Sequence, residues 1–173
     1  MTNDDDNVLV VASNRSSQHD LPGAWELYRD ISAAMNGRIS AYICQPARDL
    51  TIQVVGRIAF YSSGRIEPLV PAVIDRLDDE EMVSSHKNPD LRKIIVHLIK
   101  QRVLRNGQRN RVFLLSPPEP AFSAPKARCS IKLRKPIPNV KMDKNGDRSP
   151  FTYGKRYVSL AALLTANDSD DLE

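Results

Sequence analysis

Two cysteines and seven glycines in 173 residues leave this chain little of the material from which compact chemical motifs are built. Cys44 and Cys129 have no CxxC partner and no neighbouring Cys/His pair, so neither a disulfide framework nor a zinc site is indicated. They are expected to be reduced, partly buried thiols. The glycines form no GxGxxG or GxxxxGK run and HExxH is absent, which removes the usual support for dinucleotide binding, P-loop chemistry and zinc-dependent hydrolysis. No cofactor is expected. His19, His86 and His97 are dispersed, and none stands at a known catalytic spacing from a Cys or Ser. No apolar run approaches the roughly 20 residues of a membrane span, and residues 1–7, MTNDDDN, are the opposite of a basic signal-peptide start. A soluble, cytoplasmic protein with no membrane partner is the expectation.

What the chain does have is a separation of charge. Residues 87–156 hold 18 Lys/Arg against 4 Asp/Glu, residues 1–86 hold 7 against 13, and residues 157–173 hold none against 4. The net +4 is therefore the sum of −6, +14 and −4. A basic block between acidic ends suits a surface that meets a polyanion, because each phosphate neutralised by Lys or Arg releases condensed counterions. The competing reading is a solvated cationic surface, or one neutralised by the acidic half of the same chain.

The apolar pattern predicts one α+β domain with a mixed, mainly antiparallel curved sheet or small barrel and two principal helices. Residues 1–6 read as a disordered acidic tail and 167–173 as a second acidic tail, with a single domain between them over 7–166. Val8 to Ala12 reads as a buried strand. Asp20 is placed to cap a helix with Pro22 in its first turn, its apolar residues running from Ala24 to Met35 and Asn36-Gly37 ending it. Arg38 to Cys44 and Leu50 to Ser62 read as strands, the second bent at Gly56 and turning at Ser62 to Arg65 into a hairpin with Ile66. Pro68 and Pro71 put the returning strand at an edge or make it irregular. Val73 to Leu77 extends it towards Asp78-Asp79-Glu80-Glu81, read as a solvated loop of acids.

Asn88 to Asn106 is the clearest helix. Asn88 caps it, Pro89 occupies its first position, and Leu91, Ile94, Ile95, Leu98, Ile99 and Val103 form one stripe. Arg92, Lys93, His97, Lys100, Arg102 and Arg105 decorate its polar positions, and Asp90 is its only acid. Arg111 to Ser116 follows as a strand. Residues 117–150 form a Pro-rich basic segment with 7 of the 12 prolines, and Cys129 to Arg134 alternates like a half-exposed strand. Tyr157 to Ala166 reads as a strand turning into a short helix.

Among the aromatics, Trp25, Tyr42 and Phe60 lie on apolar segments and are expected in the core. Phe151 and Tyr153 instead lie in SPFTYGKRY beside Lys155 and Arg156, an interleaving that suits base stacking beside phosphate. The nucleic-acid-binding residues expected from the sequence are therefore Arg92, Lys93, Lys100, Arg102, Arg105, Lys132, Arg134, Phe151, Tyr153, Lys155 and Arg156. The ligand is RNA, or DNA with an unpaired or modified base. Two alternatives stand beside this one: a subunit whose basic face docks a protein partner in a larger assembly, and a metal-dependent nuclease whose carboxylates converge only in the fold. Pro89-Asp90 resembles the start of a PD-(D/E)xK nuclease motif, but no acid-x-Lys strand follows it.

The hairpin GRIAFYSSGRIEPLVPAVI and the closing GKRYVSLAALLTA together resemble the small β-barrel domains of the PUA-like superfamily, which includes the EVE, ASCH and YTH groups. That resemblance implies a curved sheet flanked by helices and a pocket that reads RNA or a modified base. The tryptophan-rich EVE signature is missing and a long basic insertion is present, so no pocket residue is carried over.

Overall fold

A single long, irregular strand path, from Arg65 to Met82, joins the two halves of this fold. The computed structural model describes residues 6–12, 22–46, 53–119, 129–142, 144–146 and 156–172. Ten strands and three helices run β1 (Asn7–Ala12), α1 (Ala24–Ala34), β2 (Ser40–Cys44), β3 (Arg57–Ser62), β4 (Arg65–Ile66), β5 (Leu69–Val70), β6 (Val73–Met82), α2 (Pro89–Lys100), β7 (Gln108–Leu115), β8 (Ile131–Lys132), β9 (Ile137–Pro138), β10 (Arg156–Ser159) and α3 (Leu160–Thr165). They form a five-stranded sheet in the order β10-β1-β3-β4-β9, a three-stranded sheet β2-β7-β6 and a pair β5-β8. Only β1 and β3 pair in parallel; the other named pairings are antiparallel.

The path first leaves β3 through a tight turn in which Ser63 and Gly64 both have positive φ, 50° and 79°. Those dihedrals suit a type I′ hairpin, whose twist matches that of the strands it joins. Pairing with β3 continues past Pro68, with the Glu67 amide donating to Phe60 O, the Ile58 amide to Pro71 O and the Val73 amide to Gly56 O. The same backbone then turns to β7: the Ser116 amide donates to Ala72 O at 2.9 Å. One strand path thus serves both sheets, and the surface curls into a half-barrel.

Residues along the central strands are buried on both faces, which accounts for their unbroken apolar runs. Leu9, Val11, Ile58, Phe60, Phe113 and Leu115 point inward and pack with Tyr28 of α1. Val8, Val10, Ala59 and Tyr61 point the other way, under Leu133, Ile137, Val158 and Leu163. On the three-stranded sheet, Val112 and Leu114 face Leu91, Ile94, Ile95 and Leu98 of α2. Phe60 is the hub of an aromatic group, with ring centroids 5.2 Å from Tyr28, 5.6 Å from Trp25 and 6.3 Å from Tyr42. The three aromatics expected in the core are there, Phe60 fully buried and Trp25 and Tyr42 half-buried against it.

Several expectations are corrected. The cap position of α1 is Gly23, whose amide donates to the Glu26 carboxylate at 2.9 Å; Asp20 lies outside the described residues. The β3 strand begins at Arg57, with Gly56 bonded to Asn7 and Val73 just before it; residues 50–52 lie outside the described residues. The acids at 78–81 lie within strand β6 rather than in a loop, since the partner β7 extends the sheet along them. The C-terminal acidic segment is folded: Ser169–Leu172 forms a 3-10 turn, Leu172 enters the core beside Val10, and Ser169 Oγ accepts from the Val140 amide at 3.0 Å.

Candidate nucleic-acid interface

Helix α2 has one side fixed by packing and the other left to charge. Asn88 Oδ1 accepts from the Asp90 and Leu91 amides at 3.0 and 3.1 Å, satisfying two donors of the first turn. Upstream, the buried His86 ring accepts the Asn88 amide at Nδ1 and meets Glu80 through Nε2 at 2.9 Å. The Nε2–H tautomer satisfies both bonds. His97 reaches Asp30 of α1 at 2.8 Å, tying the two helices side by side. With Leu91, Ile94, Ile95 and Leu98 buried, Arg92, Lys93, Val96 and Lys100 form the outward face.

The helix ends at Lys100, six residues short of the sequence expectation. Gln101 is the C-cap, and Arg102 takes φ 62°. The Arg102 amide donates to Ile99 O at 3.0 Å and the Val103 amide to Leu98 O at 2.9 Å, the two bonds of a Schellman motif. Arg102 therefore occupies the left-handed position that glycine usually fills, and Arg102 and Arg105 lie on the turn beyond the helix rather than on it. Both are exposed. Arg92, Lys93, Lys100, Arg102 and Arg105 have no ion-pair partner among the described residues.

Other arginines behave differently. Asp78 and Asp79 occupy a β-bulge, two residues of β6 set against Arg111 alone in the register of β7. Asp78 Oδ1 lies 2.8 Å from Arg76 Nε and 2.7 Å from Arg111 Nε, while Asp79 Oδ1 lies 2.8 Å from Arg109 Nε. Burial alone would raise the Asp78 carboxyl, but the hydrogen bond and charge of Arg76 and the charge of Arg111 hold it below its ordinary value. A hydrogen bond from Arg109, aided by its charge, does the same at Asp79. The acids of β6 thus neutralise part of the basic block. Among the described residues no three His, Cys, Asp or Glu side chains converge on one point.

A second group of cations sits on different elements. Lys132 is in β8, paired with Leu69, and Arg134 and Lys135 follow it on the surface. Arg156 begins β10, half-buried and opposite Val10 of β1. Leu133 and Val158, between or beside them, pack on the five-stranded sheet. The described residues expected to bind nucleic acid therefore lie in two groups, one on α2 and the turn after it, the other on β8, the segment that follows it and β10. Phe151, Tyr153 and Lys155 lie outside the described residues.

Beside the second group is a cavity of about 290 Å³, lined by Leu133, Arg134, Lys135, Leu163, Leu164, Thr165, Ala166 and Asn167. Only Arg134 among these was singled out from the sequence. Leu163 to Asn167 are brought to it by α3 folding back on the sheet, a contact between segments about 30 residues apart that leaves no local pattern. Cys44 and Cys129 are half-buried and neither is in a disulfide. No helix of the described residues is long and apolar enough to cross a membrane.

No family model, curated protein or solved structure matches the chain.

Proposed function

We propose that this protein binds nucleic acid through the outward face of α2 and the turn that follows it. The observation that carries this reading is the sorting of the cations: Arg76, Arg109 and Arg111 are held by acids of β6, whereas Arg92, Lys93, Lys100, Arg102 and Arg105 have no acidic partner among the described residues. Solvated surfaces ordinarily intersperse charges of both signs. A helix that carries Arg92, Lys93 and Lys100 on its outer face, with Asp90 confined to its first turn, instead suits a row of phosphates. Arg102 adds a cation at a backbone position that disfavours any side chain, so a gain elsewhere is needed to offset that cost. The curled sheet flanked by helices is the architecture that the PUA-like resemblance implies, and it is compatible with a reader of RNA or of unpaired DNA.

The reading is tested by fluorescence anisotropy of the full chain with labelled single-stranded RNA, single-stranded DNA and duplex, titrated between about 50 and 200 mM salt. Log affinity should fall linearly with log salt. The R92A/K93A/K100A variant should lower the slope by about 0.7 to 0.9 for each phosphate that is no longer neutralised. Absence of binding at the lowest salt, or an unchanged slope in the variant, overturns the proposal. Retention of an acidic protein in place of nucleic acid would favour the assembly-subunit alternative.

A further inference from the structure

The cavity beside α3 combines two features that one ligand class would use together. Its apolar part is Leu164, half-exposed at the side, with Leu133 and Leu163 of the core buried beneath. Its rim carries Arg134 and Lys135, both exposed and without an ion-pair partner among the described residues, together with Thr165 and Asn167. No acid lines it. A volume of about 290 Å³ is at the small end of ligand sites, which begin near ~300 Å³. It has room for one compact group and not for a chain.

Resting on the reading that the protein binds nucleic acid, we propose that this cavity seats a single nucleoside monophosphate unit, free or at the end of a strand. Arg134 and Lys135 would take the phosphate as charge-assisted donors. Leu164, beside the buried Leu133 and Leu163, would meet one face of the base, and Asn167, whose carboxamide both donates and accepts, would meet a polar base edge. Neither half of that ligand uses the site alone. Bare phosphate would leave Leu164 wet, and an uncharged nucleoside would leave both cations unneutralised.

The test is calorimetric titration of the full chain with 5′-AMP, adenosine, inorganic phosphate and octanoate. 5′-AMP should bind, with adenosine and phosphate each at least tenfold weaker. R134A/K135A, which changes only exposed side chains, should weaken 5′-AMP at least tenfold at unchanged melting temperature. Ala166→Leu, which fills the cavity, should do the same without removing a charge. R92A/K93A/K100A should lose oligonucleotide affinity and keep 5′-AMP, so failure of the α2 reading and failure of this one are separable. An oligonucleotide bearing a 5′-phosphate that binds more tightly than its dephosphorylated form assigns the unit to a strand end, and equal affinity beside 5′-AMP binding assigns it to free nucleotide. No 5′-AMP binding at millimolar concentration, undiminished binding in R134A/K135A, or tighter binding of octanoate overturns the proposal.

Discussion

The guanidinium of Arg111 reaches across the β6 to β7 ladder to Asp78, Nε 2.7 Å from Oδ1, with the arginine side chain 8 % exposed and the aspartate 55 %. The charge of Asp78 compensates the buried cation. Asp78→Ala should therefore destabilise the fold by about 2 kcal/mol, because it strands a buried guanidinium. Asp79→Ala breaks a pair exposed on both sides and should shift stability far less, because water and salt screen it. Urea midpoints of the two variants check the contrast.

Acid should act through the same two residues. Both carboxyls are held below their ordinary value of 3.8 in the folded chain. A group whose folded value is depressed contributes stability that is fully present above its unfolded value and is lost as pH falls through the folded one. Urea midpoints should thus be flat above the ordinary carboxylate value and decline below it. In the D78N/D79N variant that acid-side decline should be shallower, and an identical slope would contradict the assignment.

Tyr28 joins the half-barrel interior to β7. Its O–H donates to Ser116 O at 2.9 Å, and burial pushes the phenol well above its ordinary value. Tyr28→Phe keeps the ring against Phe60 and removes only the donor, so it should cost about 1 kcal/mol. Tyr28→Ala removes the ring as well and should cost about 3 to 5 kcal/mol. Thermal or denaturant unfolding distinguishes them.

Much of the fold is legible in the chain, for reasons that differ by element. β1 and β7 are buried on both faces, so Val8 to Val11 and Val112 to Leu115 are unbroken apolar runs. α2 declares its start through Asn88 and Pro89 and its inner face through its stripe. β6 does not declare itself beyond Leu77, because an edge strand carrying exposed acids is ordered by its neighbour and not by its own pattern. The sign asymmetry of the basic block is equally legible. Which cations are neutralised is not, since Arg109 meets an acid 30 residues away and only the register of β6 on β7 brings them together.

Arg102 offers the prediction that links stability to binding. Its φ of 62° is a conformation in which a side chain crowds the backbone and glycine does not. The Schellman bonds around it involve only backbone groups, so Arg102→Gly keeps them and relieves the crowding. Stability should rise by about 0.5 to 1 kcal/mol. If the side chain contacts phosphate, the same variant should bind nucleic acid more weakly and lose about one unit of salt slope. Higher stability with weaker, less salt-dependent binding would identify Arg102 as a residue retained for its charge against the preference of its backbone. Higher stability with unchanged binding would remove it from the interface and leave α2 to act through Arg92, Lys93 and Lys100.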